Sequence, residues 1–364
     1  MIPKIQYDEK LWAGLLIAGG IILAYFLIKK NDKQITCSTA PIEYQQYCID
    51  TNLWLDSKIV EWKPQQSNTL KFNGHLIFFS ENSINSFPQE YDDLFIDMIL
   101  ELNSNSVSLH IQPTLYKTYN DRYDNIISKI KASGKELYIA YVMPTSASIT
   151  LEQYVFMENE FISSFISTYK PEYFVVVDEY LTMMERTGLV ATVDEWKNMV
   201  INFVNLTKSI NPDTKTIVTG HQGELDFLNS LYNVNNLDYV GINVWGIDMI
   251  DETTVSGTNV KNTIQYLQSY GKGIIFEQTW SFLITEGTRD ISVMEFMKDI
   301  DSKYTESITY YCLNNGIINY SPYFTGKFII YSEDINAGTQ ALINKDRTPI
   351  FYKYQQLIME YQLI

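Results

Sequence analysis

Short apolar runs alternate with amphipathic stretches along the chain from about residue 70 onward. Each run is six to nine residues long, which is typical of a β-strand. Apolar residues are nearly continuous within the runs, as in strands that are buried on both faces of a sheet. We therefore predict eight strands, at residues 75–80, 106–111, 136–142, 173–179, 215–220, 237–245, 272–278 and 308–314.

The stretches between these runs place apolar residues three and four positions apart, the spacing of a helix with one buried face. Pro88 near the start of one stretch, and Gly134 and Gly271 at the ends of two others, are suitable boundary residues. The predicted helices cover residues 88–102, 123–133, 151–169, 193–210, 224–234, 259–270, 293–304 and 349–361.

Strands that alternate with helices in this way predict a parallel sheet covered by helices. Eight such units over about 290 residues fit a closed (β/α)8 TIM barrel, which we place at residues 71–364. An open doubly wound sheet is the alternative, and it usually binds a nucleotide through a Gly-rich turn after its first strand. The segment at 81–89, "ENSINSFPQ", contains no glycine. Residues 321–340 are predicted to form a long eighth loop, with a hairpin as one possibility.

Residues 11–28 are eighteen consecutive positions without a charge, followed directly by Lys29 and Lys30. At about 1.5 Å per residue a helix of this length reaches roughly 27 Å, near the thickness of a bilayer's hydrocarbon core. We interpret residues 11–30 as a single transmembrane anchor, between a flank at 1–10 and a stalk and lead-in at 31–70. A cleaved signal peptide and a buried core helix remain alternatives. The basic residues on the two sides balance, so they do not predict the orientation.

The composition narrows the choice of partners. The formal net charge is −16, from 43 acidic and 27 basic residues, and a protein that binds nucleic acid needs a basic surface. We therefore predict no nucleic-acid partner. Only 19% of the residues are charged, and Asn, Ser, Thr and Tyr supply much of the remaining polarity. Such a surface favours an exported protein, with the barrel on the extracellular side of the membrane.

Cysteine and histidine spacing completes this picture. Cys37 and Cys48 bracket a short segment after the anchor and could form a disulfide in an oxidising compartment, which would leave Cys312 unpaired. Three free thiols are the alternative. His75, His110 and His221 show no ligand spacing, and we predict neither a metal nor a cofactor.

Active sites of TIM barrels lie at the C-terminal ends of the strands, so the residues that end each run are the candidates for chemistry. They combine carboxylates with aromatic and amide side chains, which suit a sugar ring: flat faces for stacking, amides for hydroxyl groups and acids for the glycosidic oxygen. The candidates are Glu81, His110, Gln112, Tyr141, Asp178, Glu179, His221, Gln222, Asn243, Trp245, Glu277, Trp280, Asn314 and Asn315.

Two of these carboxylates carry a resemblance to a known superfamily. Glu179 follows "YFVVVD" on the fourth strand and Glu277 ends "GIIFE" on the seventh. They resemble the acid/base and nucleophile pair of the clan A retaining glycoside hydrolases, the cellulase and β-glycosidase superfamily. Trp280 matches an aromatic residue that is common after the strand-seven glutamate, and "LDYVGINVWG" is similar to the sixth strand of the clan. The resemblance covers about residues 70–364 and does not single out a family.

The resemblance implies a retaining mechanism by double displacement. Glu277 would attack the anomeric carbon, and Glu179 would first protonate the leaving oxygen and then activate water. The residues expected to contact the carbohydrate substrate are Asp178, His221, Asn243, Trp245, Trp280, Tyr141 and His110.

The sequence departs from the clan pattern at two positions. The residue before the strand-four glutamate is commonly Asn in the clan, and here it is Asp178. An Asn amide can donate a hydrogen bond to a sugar hydroxyl, whereas an ionised Asp can only accept one. An arginine is often found late on the second strand, where this chain has His110 and Gln112.

Non-catalytic interpretations remain open at this stage. Glu277 and Glu179 could be structural ion-pair partners, Trp245 and Trp280 could fill core space, and His221 could be an ordinary loop residue. A barrel can also keep a sugar-binding groove without catalysis. The alternative function is thus a carbohydrate-binding or structural protein that assembles with other surface or envelope proteins.

Overall fold

The computed structural model describes most of the chain from Cys37 onward, and of Tyr141 and Ile335 it describes the backbone alone. The flank at 1–10, the anchor at 11–30 and Glu81 lie outside the described residues. No helix within the described ranges has both the length and the apolar character needed to cross a bilayer. The described ranges are 37–65, 69–76, 87–141, 149–245, 250, 258–281, 294–323, 325–332 and 334–363.

Eight parallel strands close into a barrel in the order of the chain, with β8 paired to β1. This confirms the barrel predicted from the apolar runs. The strands are β1 (Lys71–His75), β2 (Ser106–Ile111), β3 (Glu136–Tyr141), β4 (Tyr173–Asp178), β5 (Lys215–His221), β6 (Tyr239–Trp245), β7 (Gly273–Trp280) and β8 (Asn319–Pro322).

Twelve α-helices are present in the described part of the chain. They are α1 (Gln45–Glu61), α2 (Asp92–Glu101), α3 (Pro113–Thr118), α4 (Asn120–Ala132), α5 (Leu151–Tyr169), α6 (Tyr180–Thr187), α7 (Val193–Ile210), α8 (Leu225–Ser230), α9 (Val260–Ser269), α10 (Met297–Asn314), α11 (Ile335–Ile343) and α12 (Pro349–Tyr361). Short 3-10 turns lie at Ile42–Tyr44, Gln89–Tyr91, Gln222–Glu224, Leu231–Asn233 and Thr325–Phe328.

Local sequence explains where the long helices begin. Thr150 precedes α5, accepts a hydrogen bond from the Gln153 N–H at 3.2 Å, and donates its own N–H to the Gln153 side chain at 2.9 Å. The same reciprocal capping arrangement joins Thr192 and Glu195 at the start of α7. Such caps satisfy N–H groups that have no partner inside the helix. Pro349 opens α12, where its missing N–H is not needed.

The predicted eighth strand was wrong, because residues 308–314 belong to α10. Every residue from Ser307 to Leu313 is buried, so this part of the helix has no polar face and resembles a buried strand in sequence. The true β8 is Asn319–Pro322. Asn314 and Asn315 therefore lie at the end of a helix and do not end a strand of the barrel.

Two other boundaries differ from the prediction. The first strand begins four residues earlier than expected and ends at His75, because "KFNGH" pairs with β2 and β8 although it contains few apolar residues. The described part of 321–340 contains the end of β8, the 3-10 turn at Thr325–Phe328 and the start of α11, and no hairpin.

The lead-in segment packs against the barrel's outer layer. Helix α1 contacts α10, and Asn314 donates its side-chain amide to the Trp62 carbonyl at 2.6 Å. A disulfide joins Cys37 to Cys48, as one of the two alternatives predicted, and Cys312 is free and buried.

Candidate active site

The carboxylates of interest lie at the carboxyl ends of β4 and β7, where strand pairing is irregular. The register of β4 against β5 shifts between Val175 and Val177, and that of β7 against β8 shifts between Phe276 and Thr279. Consecutive residues of a regular strand point to opposite faces, and a bulge re-aims side chains. At the irregularity in β7, the consecutive residues Glu277 and Gln278 both contact side chains from other strands of the barrel.

Glu277 is held by a histidine from the opposite side of the barrel. Its Oε1 atom lies 2.8 Å from Nε2 of His110 on β2, and both side chains are almost fully buried, with Glu277 2% exposed. When Nε2 carries the ring proton, His110 donates to this oxygen. Among the described residues no group forms a hydrogen bond with Glu277 Oε2. One carboxylate oxygen is therefore oriented by a hydrogen bond, and the other is buried with no hydrogen-bond partner among the described residues.

Glu179 lies at a sharp turn between β4 and α6. Its φ is +48° and its ψ is 74°, in the left-handed region that is uncommon for residues other than glycine. The Glu179 N–H donates to the Thr219 carbonyl at 3.1 Å. Glu179 Oε1 accepts from Asn243 Nδ2 at 2.9 Å and from Trp245 Nε1 at 3.4 Å, and Oε2 accepts from Thr182 at 2.9 Å. The side chain is half-buried and well oriented.

Asp178 ends β4, directly before Glu179, and its hydrogen-bond partners lie on β5, β6 and β7. The Gln278 side-chain amide donates to its Oδ2 at 3.2 Å, and Asn243 and the Thr219 hydroxyl contact its Oδ1. Burial raises the pKa of Asp178 to about 7, and the charges of Glu277 and Glu179 add to the rise. Both glutamates are therefore close enough to act on this carboxyl group.

Aromatic rings connect the two glutamates along the other side of the site. Trp245, which donates to Glu179, packs edge-on against Tyr323 with ring centroids 5.0 Å apart. Tyr323 in turn lies 5.4 Å from the ring of His110, the partner of Glu277, and stacks on His75 at 4.7 Å. Burial, reinforced by the adjacent His110, holds the pKa of His75 well below its usual range. His75 is thus neutral near pH 7.

Three other residues predicted for the site, His221, Trp280 and Tyr141, end β5, β7 and β3. His221 ends β5 with a side chain about 30% exposed, and its Nδ1 accepts the Gly223 N–H at 2.9 Å. The Trp280 ring is buried, and the Lys327 ammonium lies over it, 5.3 Å from the centroid. Tyr141 ends β3, and its side chain lies outside the described residues.

Sequence reasoning missed residues that complete the site. In the sequence, His75 is only a histidine without ligand spacing, and Tyr323 falls within the predicted eighth loop. The register shifts that bring Gln278 to Asp178 had no signal in the apolar pattern. Position at the end of a corrected β1 or β8 would have identified His75 and Tyr323. The missed residues are His75, Thr182, Thr219, Gln278 and Tyr323.

The described residues include no group of three or more His, Cys, Asp or Glu side chains arranged to hold a metal ion. What the described site offers is a set of carboxylates with amide, hydroxyl, imidazole and indole donors. Such a set suits proton transfer and nucleophilic attack.

Comparison with solved structures finds the same barrel in enzymes that act on sugars. An exo-β-1,4-mannosidase from Opitutaceae bacterium strain TAV5 superposes with a TM-score of 0.59 at 9% identity, covering 80% of this chain and 59% of that protein. The Streptomyces cattleya GH5_18 protein, solved with GlcNAc, also gives 0.59, at 7% identity, covering 81% of each chain.

A Thermotoga maritima β-glucosidase solved with deoxynojirimycin gives a TM-score of 0.54 at 9% identity, covering 83% of this chain and all of that one. No protein-family model matches the sequence, and comparison with curated protein sequences finds no match. The chain therefore shares its barrel fold with differently named glycoside hydrolases, among them a mannosidase and a β-glucosidase.

Proposed function

We propose that the protein is a glycoside hydrolase that cleaves an oligo- or polysaccharide with retention of anomeric configuration. The observation that carries this proposal is the hydrogen-bonded carboxylate pair, Glu179 with Asn243 and Glu277 with His110. The two strands involved, β4 and β7, end at the same face of the barrel, where TIM-barrel enzymes carry their sites. The fold shared with a mannosidase and a β-glucosidase supports a carbohydrate substrate.

In the first step, Glu277 Oε2 attacks the anomeric carbon and the bond to the leaving oxygen breaks. Glu179, in its protonated form, transfers its proton to that oxygen, so the sugar leaves as an alcohol. His110 holds Glu277 Oε1 and leaves Oε2 to react. The product is a covalent glycosyl-enzyme and a free aglycone.

In the second step, the ionised Glu179 takes a proton from water, and the resulting oxygen attacks the anomeric carbon from the face that the aglycone left. The bond to Glu277 breaks and its carboxylate is regenerated. Asn243 and Trp245 keep Glu179 oriented while its charge changes between the two steps, because both contact Oε1. We assign to Trp245, half-buried at the end of β6, a role as an apolar surface for the sugar ring.

Asp178 is proposed to replace the amide that the clan commonly has at this position. With its pKa raised to about 7, it is largely protonated below that pH and can then donate to a sugar hydroxyl. His221, Trp280 and Tyr141 are assigned to further substrate contacts, as the sequence predicts.

A second candidate function is carbohydrate binding without turnover. The observation that favours it is the burial of Glu277, which is only 2% exposed, because a nucleophile must reach its substrate. Under this alternative the carboxylates stabilise the barrel, and the protein assembles with other surface or envelope proteins.

Trapping of the intermediate separates the two functions. The protein would be screened on aryl β-glycosides of glucose, mannose, galactose and xylose, and then incubated with the 2-deoxy-2-fluoro dinitrophenyl glycoside of the sugar that reacts. We expect mass spectrometry to find the fluorosugar on Glu277, and proton NMR to show retention. Glu277→Gln should abolish turnover, while Glu172→Gln, at the opposite end of β4, should not. Binding with no turnover on any glycoside would favour the second function, and inversion would reject the two-step mechanism.

We further propose that residues 11–30 anchor the protein in a membrane with the barrel outside the cell. The uncharged segment and the disulfide between Cys37 and Cys48 support this, since disulfides persist in oxidising compartments. Fractionation of cells that express the full chain should recover it with membranes, resistant to carbonate extraction. Deletion of residues 1–30 should release it.

A further inference from the structure

Glu224 is a buried carboxyl group that the proposed mechanism does not use. It ends the 3-10 turn at Gln222–Glu224, directly after β5, and is 1% exposed. Burial of a carboxylate is costly unless hydrogen bonds compensate for the lost water. The partners of Glu224 therefore indicate what the group does.

Each oxygen of Glu224 accepts one backbone N–H, and the two donors come from different parts of the barrel. Oε1 accepts from Leu181 at 2.7 Å, and Oε2 accepts from His221 at 2.8 Å. Leu181 is the second residue of α6, so its N–H has no partner within the helix, and Glu224 supplies the acceptor. One carboxyl group thus joins the start of α6 to the end of β5.

Glu179 occupies the turn that this group secures. A residue other than glycine in the left-handed region is strained and persists only when its surroundings hold it. The Glu179 N–H is tied to Thr219 on β5 at 3.1 Å, and two residues later Leu181 is tied to Glu224. The backbone around the strained residue is therefore hydrogen-bonded to the β5 segment at two points, at Glu179 itself and at Leu181.

The absence of a side chain at Gly220 leaves room for Glu224. A Cβ atom at residue 220 would lie 3.0 Å from Glu224 Oε2 and 3.2 Å from Glu224 Cβ, closer than most Cβ atoms approach another heavy atom. Glycine therefore lets Glu224 fold back over the end of β5.

We propose that Glu224 is a positioning residue, which holds the left-handed turn at Glu179 so that the carboxyl group of Glu179 faces the leaving oxygen. This inference rests on the proposed glycosidase function. The pKa of Glu224 is raised to about 8, chiefly by burial; the two N–H bonds oppose the rise, and the charges of Glu179 and Asp178 contribute to it. A carboxyl group kept in so unfavourable an environment is more common at functional sites than elsewhere.

The kinetic test uses the dependence of rate on the leaving group. Proton donation matters for a poor leaving group such as phenol and matters little for 2,4-dinitrophenol. We use kcat/KM because it reports the glycosylation step. Glu224→Ala should lower kcat/KM about 100-fold on the phenyl glycoside and leave kcat/KM on the dinitrophenyl glycoside nearly unchanged. Glu224→Gln, which keeps one acceptor oxygen, should fall in between. Equal losses on both substrates would show a general structural defect and overturn the proposal.

Glu172 provides a matched control. Its Oε2 also accepts a backbone N–H, from Leu137 at 2.7 Å, at the opposite end of the barrel. Glu172→Ala should leave the leaving-group dependence as in the wild type. The same selective loss in this variant would also overturn the proposal.

A structural measurement decides the question independently of activity. Amide hydrogen exchange of Leu181 and His221 should become faster in Glu224→Ala, and its crystal structure should show that Glu179 has left the left-handed region. If Glu179 keeps its φ near +48° and both amides stay protected, Glu224 does not position it. If the wild type cleaves no glycoside, the proposed function fails. Amide hydrogen exchange still reports in that case whether Glu224 holds the turn. Glu224→Gln, nearly isosteric, serves if the alanine variant does not fold.

Discussion

His110 Nε2 lies 2.8 Å from Glu277 Oε1, across the barrel from β2 to β7. In the clan that this chain resembles, a larger and permanently charged arginine is often found late on the second strand. An imidazole on the same side provides one directed hydrogen bond, and its charge, unlike that of arginine, depends on protonation. The orientation of Glu277 therefore depends on the tautomer and protonation of a single ring.

Replacement of His110 tests this dependence. We expect His110→Ala to lower kcat about 100-fold, as is common when a donor to a reacting charge is removed. His110→Gln retains an N–H donor and should recover part of the loss. The readout is kcat with the reactive aryl glycoside, and equal rates for the alanine variant and the wild type would contradict the assigned role.

Asp178→Asn should extend activity towards alkaline pH. The pKa of Asp178 is raised to about 7, so the wild type loses its protonated donor as pH rises through that value. An asparagine amide donates at every pH. We expect the alkaline limb of kcat/KM to move upward by about one unit, and an unmoved limb would exclude Asp178 as a protonated donor.

Stability should fall as pH rises through neutrality. The pKa values of Asp178 and Glu224 are raised in the folded protein, from 3.8 to about 7 and from 4.5 to about 8. The folded state then binds more protons than the unfolded state between these values, so the stabilisation is fully present below the unfolded values and is lost as pH rises through the folded ones. We expect Tm to decrease by several degrees between about pH 5 and pH 8.5.

Variants identify which groups cause the decrease in Tm. Asp178→Asn and Glu224→Gln each remove one titrating carboxyl group, so each should flatten the pH dependence. Glu172→Gln, at an exposed position away from both groups, is the comparison variant. A Tm that rises from pH 5 to pH 8.5 would contradict this account.

Trp245 has two roles that different substitutions can separate. Trp245→Phe keeps an aromatic face and removes the indole N–H that reaches Glu179 at 3.4 Å, so kcat should fall with KM little changed. Trp245→Ala also removes the ring, and KM should rise about tenfold. An unchanged KM in the alanine variant would mean that the sugar does not stack there.

The disulfide should stabilise the packed lead-in. Cys37 and Cys48 are eleven positions apart, and closing a loop of this size typically contributes about 2–3 kcal/mol to the free energy of unfolding. Denaturant unfolding of a Cys37→Ser, Cys48→Ser double variant should show this loss. Reductant should lower the stability of the wild type and leave that of the double variant unchanged.

The sequence predicted those elements best whose signals are local. Helix α5 was predicted at its observed bounds, Leu151–Tyr169, because a strong apolar periodicity follows a capping threonine. Glu179 and Glu277 were identified because each ends a continuous apolar run. Both signals depend on neighbours within a few positions along the chain.

Contacts that close the barrel had no such signal. His75 lies 3.0 Å from the Tyr323 carbonyl although 248 positions separate them, and only the pairing of β1 with β8 brings them together. The left-handed φ of Glu179 was equally hidden, since nothing in "VDEYL" marks a strained turn. These features arise from closure of the barrel, so local patterns could not predict them.

Helix α10 has one more consequence. Since Ser307–Leu313 is buried on every side, a systematic scan of substitutions would find seven consecutive intolerant positions there, without the every-third-or-fourth rhythm that usually identifies a helix. Tolerance data from such a scan would suggest a strand in this segment, as the apolar run did. Substitution to proline would tell the two apart, because mid-helix proline removes a hydrogen bond and clashes with the preceding turn.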